Sequence, residues 1–120
     1  MTDPNSTAET YIALWNDAND ESRRARLSES WSVDARYADP VMSGAGHDGI
    51  DAMIAGARAQ FPGHGFTLVG TPDGHGDFVR FSWTLAPTNG APVAAGTDVV
   101  RLDATGRIAE VIGFLDGNAA

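Results

Sequence analysis

The 120-residue sequence contains no cysteine and no lysine. Without cysteine, disulfides, thiolate nucleophiles and cysteine-ligated zinc are excluded. Without lysine, Schiff-base catalysis and a Walker-type phosphate loop are excluded, because both need an ammonium group. The side chains left for chemistry are mainly carboxylates, together with three histidines and two tyrosines.

The sequence also lacks a long apolar run. Its basic residues are dispersed apart from Arg23, Arg24 and Arg26, and we interpret these three arginines as the solvated face of a helix. No segment approaches the roughly 20 apolar residues of a membrane span, and the opening MTDPNSTAET does not resemble a signal peptide. The formal net charge of −8 disfavours contact with phosphate backbones and anionic lipid. We therefore expect a cytoplasmic protein without a nucleic-acid or membrane partner.

Size and apolar content predict a single domain over residues 1–120. Apolar residues at helical spacing predict three helices, over residues 6–18, 21–31 and 48–61. Ser6 and Glu9 have the spacing of a capping box for the first helix, and Asp48 is placed to cap the third.

Period-two alternation predicts five strands, over residues 34–39, 66–69, 78–85, 93–102 and 107–115. The glycine-rich stretch SGAGHDG is predicted to be a loop, and TPDGHGD a turn between strands. Helices grouped ahead of a run of antiparallel strands indicate an α+β architecture in which a curved sheet wraps the helices.

Asp98 lies on an apolar face of its predicted strand, because period two places it with Ala94, Gly96, Val100 and Leu102. A carboxyl among such neighbours must find hydrogen bonds or stay protonated, since desolvation disfavours its charged form. The alternative is a structural acid that is satisfied by the backbone or by a tryptophan N–H.

Two other groups place polarity on apolar faces: Tyr11 on the stripe of the first helix and Asp39 at the end of the first strand. An ionised carboxylate can act as a base, while a neutral carboxyl and a phenol donate hydrogen bonds to a developing oxyanion. The alternatives are a core tyrosine and an Asp-Pro pair that only ends a strand.

The motifs YIALWN with Tyr11, YADP with Asp39, and GTDVVRLDATGRIAEVIGF with Asp98 resemble the NTF2-like or SnoaL-like superfamily over nearly the whole chain. The resemblance implies a cone-shaped, cystatin-like α+β fold with three N-terminal helices packed on a strongly curved, mostly antiparallel sheet around a pocket. It also implies a homodimer formed through the outer face of the sheet. By similarity to ketosteroid isomerase, Asp39 would be the base, Tyr11 an oxyanion donor and protonated Asp98 the second donor.

The residues and the resemblance together predict a small enzyme, without cofactor or metal, that isomerises or cyclises a small apolar compound bearing a carbonyl. The alternative is a non-catalytic NTF2-like ligand-binding or dimerisation domain. The side chains expected to line the substrate pocket are Trp15, Phe81, Trp83 and Met53. The histidines match no metal-ligand spacing and are expected to be solvated turn residues: His47, His64 and His75.

Overall fold

The computed structural model describes residues 3–116, which form three helices and one six-stranded sheet. The elements in chain order are α1 (Pro4–Asn16), α2 (Asp20–Ser30), β1 (Trp31–Ala38), β2 (Ser43–Ala45), α3 (Gly46–Gln60), β3 (His64–His75), β4 (Phe78–Pro87), β5 (Ala94–Leu102) and β6 (Ile108–Leu115). The sheet order is β2-β1-β6-β5-β4-β3. All neighbours are antiparallel except β1 and β6, which run parallel. The α+β prediction, with helices on a curved and mostly antiparallel sheet, is confirmed.

The hydrophobic core lies between the helices and the inner face of the sheet. On α1 the buried positions recur at helical spacing and include Tyr11, Leu14 and Trp15. On the sheet, alternate residues point inward, so Val100 is buried while its neighbour Arg101 is exposed. In the described residues, no helix is long and apolar enough to cross a membrane.

The helix starts differ from those predicted. Helix α1 begins at Pro4, two residues before the predicted start, and no side chain caps its first turn, so the capping box of Ser6 and Glu9 does not form. Proline suits this position because its ring fixes a helical φ and its missing N–H would be unpaired there. Helix α3 follows Ala45 directly, which leaves Asp48 inside the first turn, where it complements the helix dipole without capping.

Two predicted loops contain strand. Ser43–Ala45, within SGAGHDG, pairs with the end of β1 as the short edge strand β2. Strand β3 continues to His75, through most of TPDGHGD, because the long β4 offers hydrogen-bond partners along its whole length. A register shift between Val69 and Asp73, with Gly70 at φ +72°, accommodates the irregular sequence, and the actual turn is at Gly76 and Asp77.

Arg23 is buried, which corrects the prediction that the arginines of the second helix form a solvated face. Its Nε donates to Asp51 of α3 at 2.8 Å, its Nη1 donates to the Asp17 carbonyl at 3.0 Å, and it also forms an ion pair with Asp20. Desolvation opposes the charge, but these partners raise the pKa of Arg23 above its ordinary value. Arg23 therefore ties α2 to α3, whereas Arg24 stays largely exposed.

Candidate functional site

A cavity of about 310 Å³ opens between α1, α3 and the inner face of the sheet. Its wall is mostly apolar, and five residues that the sequence analysis singled out lie on it: Tyr11, Trp15, Asp39, Trp83 and Asp98. An apolar cleft with a few convergent polar groups is the usual form of a small-molecule site.

Phe81 and Met53 do not line this cavity, which corrects their placement as pocket residues. The Phe81 ring packs against the Tyr11 ring, with their centroids 4.9 Å apart, and is 3% exposed in the core behind the cavity wall. Met53 is partly buried and packs against the core cluster from α3.

Asp98 lies at the floor of the cavity and is 1% exposed. The Tyr11 hydroxyl donates a hydrogen bond to its Oδ2 at 2.6 Å. Burial raises the pKa of Asp98 to about 6, and the nearby charges of Asp39 and Asp116 act in the same direction, whereas Tyr11 and the Trp83 indole favour the charged form. Desolvation is the largest of these causes, so Asp98 becomes neutral at a much higher pH than an exposed carboxyl.

The second oxygen of Asp98, Oδ1, is buried and accepts no hydrogen bond of ordinary geometry from the described residues, although the Trp83 indole lies near this carboxyl. An unpaired buried polar atom costs free energy and is uncommon in folded proteins. Because Asp98 lines the cavity, Oδ1 is a polar atom of this wall that the described residues leave without a partner. A neutral Asp98 could donate its proton from this oxygen to a ligand acceptor.

Asp39 ends β1 and turns the chain. Its Oδ1 accepts hydrogen bonds from the backbone N–H groups of Val41 and Met42 at 2.8 and 2.9 Å. The Tyr37 hydroxyl donates to the other oxygen, Oδ2, at 2.6 Å. The carboxylate thus forms the turn before β2 and, in the same conformation, faces the cavity.

Gly113 on β6 shows how closely these groups approach one another. A Cβ atom built on Gly113 would lie 2.9 Å from Asp98 Oδ1, 3.0 Å from Asp39 Cβ and 3.4 Å from the Tyr37 hydroxyl oxygen. Two carboxyl side chains and a phenol therefore converge beside Gly113: Tyr37 and Asp39 come from β1 and the residue that follows it, and Asp98 comes from β5. The close approach depends on glycine, because any side chain at this position would collide with them.

Tyr37 is a site residue that the sequence analysis did not select. Burial raises its pKa above the ordinary tyrosine value, and the negative charges of Asp98 and Asp39 add to the shift, so the hydroxyl stays protonated as a donor. Period two along the first strand already placed Tyr37 on the same side as Asp39. That relationship was the signal that could have identified it.

The histidines do not form a metal site. In the described part of the chain, no three His, Asp or Glu side chains are grouped closely enough to hold a metal ion. His47 contacts the Trp31 carbonyl through Nε2, His64 contacts the Pro62 carbonyl through Nδ1, and His75 is exposed. Of the three, only His64 lines the cavity.

Two comparisons with known proteins, one with family models and one with solved structures, point to the same family. A family model described as the SnoaL-like domain matches residues 8–111. Among solved structures, a candidate isomerase of the SnoaL-like family from Agrobacterium tumefaciens is 53% identical, with a TM-score of 0.93, and the match covers 98% of this chain and 100% of that one. Among curated proteins, no sequence matches the chain.

More distant structures share the fold. An NTF2-like protein of unknown function from Exiguobacterium is 20% identical with a TM-score of 0.73, covering 93% of this chain and 99% of that one. A candidate polyketide cyclase from Sinorhizobium meliloti is 18% identical with a TM-score of 0.70, covering 90% and 93%. At these identities the likeness concerns architecture only.

Proposed function

The chain belongs to the SnoaL-like domain family, and on this basis we propose that it is a small enzyme that moves a proton on an apolar, carbonyl-bearing compound held in the cavity. The observation that carries the proposal is the convergence of Asp39, Tyr37 and Asp98 beside Gly113, on the wall of the cavity that all three line. A base and an acid that face one water-poor space are the minimum for proton transfer next to a carbonyl.

In the proposed reaction, the ionised Asp39 removes a proton from the carbon beside the substrate carbonyl. The electron pair of the broken C–H bond moves to the carbonyl oxygen and gives an enolate. Neutral Asp98 donates a hydrogen bond from Oδ1 to that oxygen, while the Tyr11 hydroxyl donates to Asp98 Oδ2 and orients the carboxyl. Asp39 then returns the proton to the same carbon, which gives hydrogen exchange, or, where a C=C bond adjoins that carbon, to the far end of the resulting dienolate, which moves the double bond; both cycles balance without a cofactor.

The surroundings of Asp39 suit this role. Two backbone N–H groups and the Tyr37 hydroxyl hold the carboxylate in one orientation. A base that is fixed in position needs no reorganisation when the substrate arrives. We assign Tyr37 as a positioning residue for Asp39.

The Tyr11–Asp98 pair suits the donor role. Burial and the nearby Asp98 charge raise the pKa of Tyr11 well above its ordinary value, which keeps the phenol protonated. Oδ1 of Asp98 is the position from which a hydrogen bond can reach a ligand. Similarity to a relative from Agrobacterium tumefaciens that is named as a candidate isomerase supports the reaction class.

The test is hydrogen exchange at the carbons beside a carbonyl. 4-Phenyl-2-butanone is incubated with the protein in D₂O, and loss of the proton signals at these carbons is followed by NMR. The proposal predicts a saturable acceleration over buffer. Failure to accelerate the exchange of this ketone, despite its binding in the cavity, would favour the alternative below.

The alternative is a non-catalytic binding domain that keeps the cavity. One observation favours it: every hydrogen bond to Asp39 is also what a purely structural turn residue would make. In this case the ketone binds, Trp15 and Trp83 fluorescence changes, and exchange stays at the buffer rate.

We also propose that the protein is a homodimer through the outer face of the sheet. Phe78, Ile112 and Phe114 are exposed on this face, opposite to the side that carries Asp98. Adjacent exposed apolar side chains of this kind are typical of a covered surface. Light scattering after size-exclusion chromatography should give twice the chain mass, and Phe114→Asp should halve it.

A further inference from the structure

The cavity has acidic groups at its floor and different polar groups at its rim. Arg58, Gln60 and His64 line the part of the wall formed by the end of α3 and the start of β3. Around them the wall is apolar, with Phe61, Phe66 and Leu85 among its residues. The rim therefore offers hydrogen-bond donors in an otherwise apolar mouth.

The rim is distant from the acids along the sheet. Asp98 is paired with Phe81 on β4, whereas His64 is paired with Pro87 at the end of the same strand. At about 3.3 Å per residue, the Asp98 and His64 rows are separated by roughly 20 Å of strand. Arg58 is also apart from Asp98, because it donates to Trp15, one helical turn along α1 from the Tyr11 that bonds Asp98. A ligand that reaches from Asp98 to this side of the cavity must be elongated.

Arg58 has one edge of its guanidinium group in use and one edge open. Its Nη1 donates to the Trp15 carbonyl at 2.9 Å, which anchors the side chain against α1. Its Nε and Nη2 make no hydrogen bond to the described residues, and no carboxylate in that part of the chain lies within ion-pair distance of it. These two nitrogens form the fork that binds a carboxylate through two parallel hydrogen bonds.

His64 adds to the same side of the cavity. Its Nδ1 donates to the Pro62 carbonyl at 2.9 Å, so Nε2 of the neutral imidazole is a hydrogen-bond acceptor, and the donor for a carboxylate on this side is Arg58. The Phe61 ring packs edge-on against the imidazole, with their centroids 5.5 Å apart, and holds it at the rim.

We infer that the substrates of this site carry a carboxylate at the end remote from the reacting carbonyl, and that Arg58 binds it. The acids at the floor would repel a carboxylate that entered first, so the charges also select the orientation in which the carbonyl reaches Asp98. The inference rests on the cavity being the ligand site proposed above, and it adds the substrate class: an elongated apolar oxo acid.

Three ligands with the same phenylbutyl body and different ends test this inference: 4-phenylbutanoate, 4-phenylbutanol and 4-phenylbutylamine. Binding is measured by calorimetry at constant ionic strength. The wild type should bind the carboxylate about tenfold more tightly than the alcohol, because a charge-assisted pair replaces a neutral hydrogen bond, and it should bind the amine most weakly.

The variant Arg58→Gln should lose about tenfold in affinity for 4-phenylbutanoate and keep its affinity for 4-phenylbutanol. Glutamine retains a donor for the Trp15 carbonyl, and unchanged alcohol binding shows that the cavity is intact. The control Arg80→Gln removes an exposed arginine that is paired with Asp73, and should change neither affinity.

Equal affinity of the wild type for carboxylate and alcohol would overturn the inference, as would a preference for the amine or an equal loss of both ligands in Arg58→Gln. These are equilibrium measurements, so they are independent of proton transfer. A carboxylate preference in a protein that exchanges no hydrogens would uphold the ligand class and refute only the enzyme.

Discussion

Tyr11 in the first helix donates a 2.6 Å hydrogen bond to Asp98 in the fifth strand, although 87 positions separate them in the chain. The bond joins the helical layer to the sheet at the floor of the cavity. It also creates the donor pair on which the proposed chemistry depends. Both partners are buried, so changes in this hydrogen bond or in the protonation of Asp98 should alter the free energy of unfolding as well as the rate of ketone exchange.

Stability should depend on the protonation of Asp98. Its pKa is about 6 in the folded protein against an ordinary value of 3.8, so the folded state binds this proton more tightly than the unfolded state. The stabilisation is complete below about pH 4 and is lost as the pH rises through 6, a loss of about 2–3 kcal/mol from this group. Urea unfolding of wild type and Asp98→Asn at pH 4 and pH 7.5 measures this contribution as the difference in free energy of unfolding between the two proteins. If that difference is the same at both pH values, the pKa of Asp98 is not raised by folding.

The rate of ketone exchange should also depend on the protonation of Asp98. Because Asp98 is the proposed proton donor, the rate should fall as the pH rises, whereas a base would make it rise. Neutral Asp98 is the proposed donor, so kcat/KM for ketone exchange should fall about tenfold per pH unit above pH 6. Asp98→Asn, which keeps a donor, should lose this descending limb. A rate that rises through pH 6 would instead make Asp98 the base.

A single methyl group at Gly113 would collide with the side chains that converge there. In Gly113→Ala, the new Cβ would lie 2.9 Å from Asp98 Oδ1 and 3.0 Å from Asp39 Cβ, so at least one carboxyl must move. We expect loss of ketone exchange and a destabilisation of about 1–3 kcal/mol. Gly56→Ala in α3 is the matched control, because its Cβ meets nothing within 4 Å. That variant should be unchanged in rate and slightly more stable.

Loss of the buried Arg23 side chain should destabilise the protein far more than loss of the exposed Arg24 side chain. Arg23→Ala leaves Asp51 with a buried charge and should lower the free energy of unfolding by about 3 kcal/mol. Arg24→Ala removes a side chain that is 69% exposed and should cost less than about 1 kcal/mol. Urea unfolding of the two variants compares them directly. Similar losses would mean that the Arg23 pair contributes little.

The types and order of the main elements could be predicted because their apolar residues repeat at the period of each structure. Alternation along the fifth strand also placed Asp98 on the inner face, where the structure has it. The edge strand β2 could not be predicted in this way. It has three residues, too few to show a period, and it exists because β1 offers an unpaired edge.

A site residue could be predicted from the sequence only where the face of its own helix or strand determines its position. Burial of Arg23 depends on Asp51, 28 positions away, and local charge patterning cannot show that contact. The positions of Met53 and Phe81 relative to the cavity depend on how α1 and α3 pack on the sheet, which the period of a single helix or strand leaves open. Arg58 was not selected because its open edge is defined by the Trp15 carbonyl of another helix.

The central claim is that Asp39 moves the proton, and one comparison tests it most directly. Asp39→Asn keeps an oxygen for the Val41 and Met42 N–H groups, so the turn should remain, while the base is lost. Asp34→Asn on the exposed side of β1 is the control. At pH 5, where Asp98 is largely neutral, we predict that exchange of 4-phenyl-2-butanone falls at least roughly 100-fold in Asp39→Asn and is unchanged in Asp34→Asn. Exchange at the wild-type rate by folded Asp39→Asn would contradict the account.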